Sequence, residues 1–188
     1  MGFKTLTETT HIMKTLILLR HAKSSWNDQA QRDIDRPLNE RGRDDAPMMA
    51  DRLAARGTCP QRVLCSPALR TVTTAEIFAS HLHMPRELIQ LERQIYLSGP
   101  AHLLHLVRQQ ESSIDCIMLV GHNPALTDFL NELCTDARVD NMPTCCVAEL
   151  AFSSNDWASI EFGQAELKVL DYPKLDKVPK KAIANPRP

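Results

Sequence analysis

Thr15-Leu-Ile-Leu-Leu-Arg-His-Ala-Lys-Ser-Ser-Trp-Asn27 joins an almost unbroken apolar run to a polar stretch that begins with Arg20 and His21. Thr15–Leu19 reads as a strand covered on both faces, because a strand with one wet face would alternate apolar and polar residues. Downstream, short aliphatic runs alternate with longer amphipathic segments. Arg62–Cys65, Leu88–Leu91 and Cys116–Val120 are the next expected strands, followed by Val147–Phe152, Ala158–Phe162 and Glu166–Leu170. Helical spacing covers Asn39–Arg56, closed by Gly57, then Ala68–Leu82, Ala101–Gln110 and a segment ending near Cys134. Pro47 has no amide to donate, so the first helix is expected either to start near Asp45 or to kink at the proline. Right-handed β-α-β crossovers assemble such a series into an α/β fold, a mostly parallel central sheet with helices on both faces.

Composition narrows the function. The chain has 188 residues, a formal net charge of −1, 43% hydrophobic residues and 5% aromatic ones. A single domain of this length buries about 70% of the surface its unfolded chain exposes, enough for a core without disulfides or metal. Near-neutral charge and few stacking rings count against a nucleic-acid partner. No apolar run approaches the roughly 18 residues a membrane span needs. A cytoplasmic protein is expected, with residues 1–12 as an N-terminal extension, 13–172 as the domain and 173–188 as a solvated tail. That tail carries four prolines and five basic residues against one acid. The six cysteines lack C-x-x-C spacing, so reduced thiols are expected, the adjacent Cys145 and Cys146 included.

In open α/β sheets the chemistry sits beyond the carboxyl ends of the strands. Three expected strand ends deliver Arg20-His21, Ser66-Pro-Ala-Leu-Arg70 and Gly121-His-Asn-Pro124. Two guanidiniums suit a phosphoryl group, since each planar fork can donate bidentately to paired oxygens and keeps its charge at any working pH. One imidazole beside them, kept neutral, is a nucleophile toward phosphorus, with a covalent phosphohistidine as intermediate. The other imidazole and the arginines stabilise charge on the transferring group. With six glycines in all and no Gly-rich phosphate loop, side chains must bind the phosphate. His81-x-His83 and His102-x-x-His105 have no matching acidic or thiol cluster, so no metal and no cofactor are expected.

Leu18–Asn27 resembles the signature of the histidine phosphatase superfamily, the phosphoglycerate mutase-like fold, with Ala22 where the family usually has glycine. Arg36-Pro-Leu-Asn-Glu-Arg-Gly42, Cys65-Ser-Pro-Ala-Leu-Arg-Thr71 with Thr74-Ala75, and Val120-Gly-His-Asn-Pro124 are similar to further blocks in the family's order. The likeness runs from about Met13 to Tyr172 and is strongest to the small, SixA-like phosphohistidine phosphatase branch. It implies His21 as nucleophile, with Arg20, Arg70 and His122 completing the phosphate pocket. Asn27 and Ser24 fall where relatives contact the phosphate, and Glu92 resembles the proton-donor position of larger relatives. Asp33 and Asp35 read as a solvated loop.

Spacing bears on the substrate. His21 to Arg70 spans 49 positions and Arg70 to His122 spans 52, which strand-helix units nearly consume. Little or no cap is expected, and an open site favours phosphohistidine on a protein over an enclosed metabolite. A broad phosphomonoesterase acting on small phosphate esters and a non-catalytic phosphate-binding regulator are the alternatives.

Overall fold

A computed structural model describes residues 14–26, 30–136 and 138–175; the expected extension at 1–12, Asn27 and nearly all of the expected tail lie outside them. The aliphatic runs pair as a six-stranded sheet. Its strands are β1 (Lys14–Arg20), β2 (Arg62–Cys65), β3 (Ile89–Leu91), β4 (Cys116–Gly121), β5 (Val147–Phe152) and β6 (Ala165–Asp171), in the order β3-β2-β4-β1-β5-β6. Pairings among β1 to β4 are parallel, and β5 alone runs against the other strands.

Side chains alternate across these strands, and each set has its own helices to meet. Leu16, Leu18, Leu64, Ile117 and Leu119 pack with α3 (Pro100–Arg108) and α4 (Ala125–Leu133). Ile17, Leu19, Val63, Cys65, Met118 and Val120 pack with α1 (Glu40–Ala55) and α2 (Leu69–His81). Both faces of β1 are therefore dry, as its unbroken apolar run requires. The helix after β1 goes to one face and the helix after β4 to the other, while β1 and β4 are neighbours. That arrangement opens a crevice at their carboxyl ends.

Three expectations need correction. The first helix does not start near Asp45: α1 runs from Glu40 through Pro47, capped by Asn39, whose side chain accepts from the Gly42 amide at 2.9 Å. The carbonyl that Pro47 cannot satisfy is that of Arg43, an exposed residue whose carbonyl water can serve. Ala158–Phe162 forms no strand. Residues Trp157–Ser159 make a 3-10 turn in the connection from β5 to β6, with the Asp156 side chain capping the Ala158 amide. Trp157 is fully buried and its indole donates to the Ile114 carbonyl at 2.6 Å, so Trp157, with buried Ile160, plugs the core instead of pairing. Finally β1 begins one residue earlier than its apolar run, with buried Lys14 held by the carbonyls of Ser112 and Ile114 and by Asp115. No helix among the described residues is long and apolar enough to cross a membrane.

Gly42 decides how closely α1 approaches the loop after β1. A Cβ there would overlap the backbone of Lys23, whose carbonyl accepts from the Asn39 amide at 2.9 Å. Gly42→Ala is expected to displace that loop and cost about 1–3 kcal/mol, the usual penalty for overpacking. A thermal melt should show the loss. An unchanged melting temperature would mean that the loop yields freely.

Candidate active site

The parallel register sets Arg20 opposite Gly121, and Leu19 and Cys65 both opposite Val120. The residues that follow these positions converge on one cleft of about 160 Å³, lined by Arg20, His21, Lys23, Ser24, Trp26, Arg36, Arg70, His122, Asn123 and Thr144. Backbone bonds hold the loop that carries the first histidine. The His21 amide donates to Gly121 O at 3.2 Å, the Ala22 amide to Thr74 Oγ1 at 3.1 Å, and the Cys145 amide to the carbonyls of Arg20 and His21 at 3.1 Å each.

His21 is buried, and its Nδ1 lies 2.7 Å from the Ala22 carbonyl. A carbonyl only accepts, so Nδ1 carries the hydrogen and Nε2 keeps a free lone pair. Burial, with smaller contributions from Arg70, Arg20 and Arg36 against the Ala22 hydrogen bond, lowers the His21 pKa from 6.5 to about 4. The ring is therefore neutral at physiological pH. His122 lies 5.2 Å from it between ring centroids. Its Nδ1 faces Arg70 Nη2 at 3.4 Å and its Nε2 lies 2.8 Å from Ser66 Oγ. Since a guanidinium only donates, Nδ1 accepts and Nε2 donates to the serine. Burial, then the neighbouring His21 and Arg70, lower the His122 pKa to about 3.

These two shifts have a consequence for stability. An unfolded chain would protonate both rings near 6.5, whereas the folded one does so only near 4 and 3. Between those values the unfolded state binds more protons, so stability rises with pH through this window and falls on acidification below about 6.5. Denaturant midpoints measured from pH 4 to 7 should climb with pH; a midpoint that rises on acidification would contradict the buried neutral pair.

The arginines are held in place. Arg20 donates through Nη1 to Met142 O at 2.6 Å, and its buried Nε has no partner among the described residues, leaving a donor for an anion. Arg70 donates through Nη1 to the Asp33 carbonyl at 2.5 Å and through Nη2 to the Asp33 carboxylate at 2.8 Å. Arg36 donates to the same carboxylate at 2.7 Å and to Ser24 Oγ at 2.8 Å, and its guanidinium lies over the Trp26 ring, 3.2 Å from the centroid. The Tyr96 hydroxyl donates to Asp33 at 2.6 Å, and its ring meets His122 edge-on. Partial burial opposes the charge on Asp33, but these hydrogen bonds from Tyr96, Arg36 and Arg70 outweigh it and hold the carboxyl well below its usual range. Asp33 is exposed, as expected, yet it is also an anchored anion; among the described residues the Asp35 carboxylate pairs with exposed Arg32.

Of the residues singled out in the sequence, the cleft gathers His21, Arg20, Arg70, His122 and Ser24. Glu92 sits where expected, after β3, with its amide on Cys65 O, yet its side chain is not among those lining the cleft. Sequence reasoning missed the roles of Arg36 and Trp26, and of Asn123 and Thr144. Arg36 had a signal, an arginine beside proline in one of the recognised blocks; Thr144 had none, since its wall is the irregular connection between α4 and β5. The six cysteines are free thiols, and burial pushes Cys146 up to about 12 and Cys145 higher, so neither competes as a nucleophile. No group of three or more metal-ligating residues occurs among the described residues.

A cleft of paired histidines and arginines at the carboxyl edge of a doubly covered, mostly parallel sheet defines a phosphoryl-transfer domain. Residues 16–93 match the family model of the histidine phosphatase superfamily, branch 1. An uncharacterized chloroplastic protein of Arabidopsis thaliana is 33% identical over 157 residues, covering 79% of this chain and 71% of that one. Among solved structures, a protein assigned as phosphohistidine phosphatase SixA of Agrobacterium tumefaciens superposes with a TM-score of 0.73 at 28% identity, covering 85% of this chain and 98% of the other. The protein histidine phosphatase SixA complexed with tungstate gives 0.69 at 22% identity, over 85% and 97% of the two chains. The chain belongs to the histidine phosphatase superfamily, in its SixA-like branch, and is a phosphatase.

Proposed function

We propose that the protein hydrolyses phosphohistidine on proteins, with His21 as the nucleophile. The observation that carries the mechanism is the Nδ1 hydrogen bond to the Ala22 carbonyl, which leaves Nε2 unprotonated among cleft arginines. Nε2 attacks phosphorus in line as the bond to the leaving imidazole breaks, and the phosphoryl group passes to His21. Water then attacks the phosphohistidine at 21, releasing inorganic phosphate and returning Nε2 to its free form. Arg20 and Arg70 stabilise the equatorial oxygens, with Arg36 and Ser24 at the cleft wall. A bound dianion favours protonation of His122, whose charge then adds to that of the arginines. The resemblance gives Asn27, which lies outside the described residues, a contact with the phosphate.

A protonated phosphoimidazole leaves as neutral imidazole, so little acid assistance is needed. Asp33 is too firmly ionised to donate a proton, and Glu92 as an acid matters chiefly for alkoxide leaving groups. Cleft size also supports a protein-borne substrate: about 160 Å³ is well below the roughly 300–1,000 Å³ of pockets that enclose a drug-sized ligand. The test compares kcat/KM on a histidine-phosphorylated protein with that on small sugar phosphates and p-nitrophenyl phosphate. Preference for the phosphohistidine protein is expected. High turnover on a sugar phosphate with none on the protein would overturn the substrate, and no turnover on any of them would favour a regulator.

A further inference from the structure

Large exposed apolar side chains among the described residues are unevenly placed. Trp26 is 71% exposed, Leu69 43%, Leu91 56% and Leu97 89%, and all four lie at or beyond the carboxyl ends of parallel strands, the edge that holds the cleft. Only Phe162, 38% exposed and edge-on to Phe129, lies elsewhere. Three of the four converge on one group. Asp33 accepts from Arg36, which lies under Trp26, from Arg70, which follows Leu69, and from Tyr96, which precedes Leu97. A single carboxylate thus ties together the bases of three apolar projections beside the phosphate cleft. Single exposed leucines need no explanation, but exposed apolar side chains set beside three groups that meet at one carboxylate next to a polar site point to an interaction surface.

The cleft has room for a phosphoryl group and little beyond it, so the remainder of any substrate lies over this rim. Sugar hydroxyls and carboxylates find no partners on Leu69 and Leu97, whereas a protein surface brings apolar side chains that do. We infer that Trp26, Leu69 and Leu97 form a docking rim for the folded protein that carries the phosphohistidine. This rests on the protein-borne substrate proposed above. The rim buries apolar side chains around the phosphorylated residue and so holds the phosphate of a docked protein against the arginines.

Leu69→Ser and Leu97→Ser test this without adding charge near the cleft. The substrates are a small folded protein phosphorylated on a surface histidine with phosphoramidate, and free phosphohistidine made the same way. Wild-type kcat/KM should favour the protein. The double variant should lose about ten-fold or more on the protein, as forfeiting two buried leucine contacts implies, and should keep its rate on free phosphohistidine, which also shows that it is folded. Leu97→Ser alone, at the most exposed of the positions, should move in the same direction. Equal kcat/KM for wild type and double variant on the phosphoprotein would overturn the rim while leaving the phosphohistidine reading intact. A wild type active on p-nitrophenyl phosphate but on neither phosphohistidine substrate would overturn that reading, and the rim with it.

Discussion

His21→Ala is expected to lower kcat by at least about 10⁴-fold, because removing a covalent nucleophile forfeits the whole two-step pathway. Its position leaves no substitute. His122 is the nearest imidazole, but its Nε2 is committed to Ser66 and its Nδ1 faces Arg70. The thiols of Cys145 and Cys146 are buried and protonated at working pH. Initial rates on p-nitrophenyl phosphate and on a histidine-phosphorylated protein read the effect, with a melt to confirm that the variant folds. Folded His21→Ala with wild-type turnover would remove the mechanism.

Arg70→Ala should cost about 10²–10³ in kcat/KM, the typical effect of deleting one preorganised donor aimed at developing charge. Two losses combine. A guanidinium vanishes beside both histidines, and the Asp33 carboxylate keeps only Arg36 and Tyr96, so its negative charge at the cleft is less balanced. Arg70→Lys should recover little, since an ammonium cannot span the carbonyl and carboxylate of Asp33 with one planar fork. Full rescue by lysine would mean that Arg70 acts as a point charge alone, and the geometric account of the pocket would be wrong.

How far the sequence led depended on the range of the interactions involved. Strand ends were legible because a buried parallel strand must be apolar throughout and must stop where the chain meets water. Arg20-His21 and Gly121-His122 could therefore be placed at the site by position alone, and the loop from Ser66 to Arg70 with them. The order of the sheet brought them together, and the resemblance named the family. Less visible were groups whose meaning depends on a partner far along the chain. Asp33 looks like any loop carboxylate until Arg70 and Tyr96, 37 and 63 positions away, are seen to bind it. Ala158–Phe162 looks like a strand because apolar Ala158, Ile160 and Phe162 alternate with polar Ser159 and Glu161, but the segment serves a turn whose tryptophan fills the core. At Pro47, local propensity lost to the capped start and the buried face of α1, and Arg43 lies where water can serve its carbonyl.

Trapping the phosphoenzyme tests the central claim most directly. Wild-type protein mixed with excess phosphohistidine substrate and quenched within the first turnover should carry one phosphoryl group, labile to acid and stable to alkali. Mass spectrometry should place it on His21, and His21→Ala should carry none. A phosphoryl group on another residue, or active enzyme that accumulates no label while water-derived oxygen enters the phosphate in a single direct step, would contradict the account.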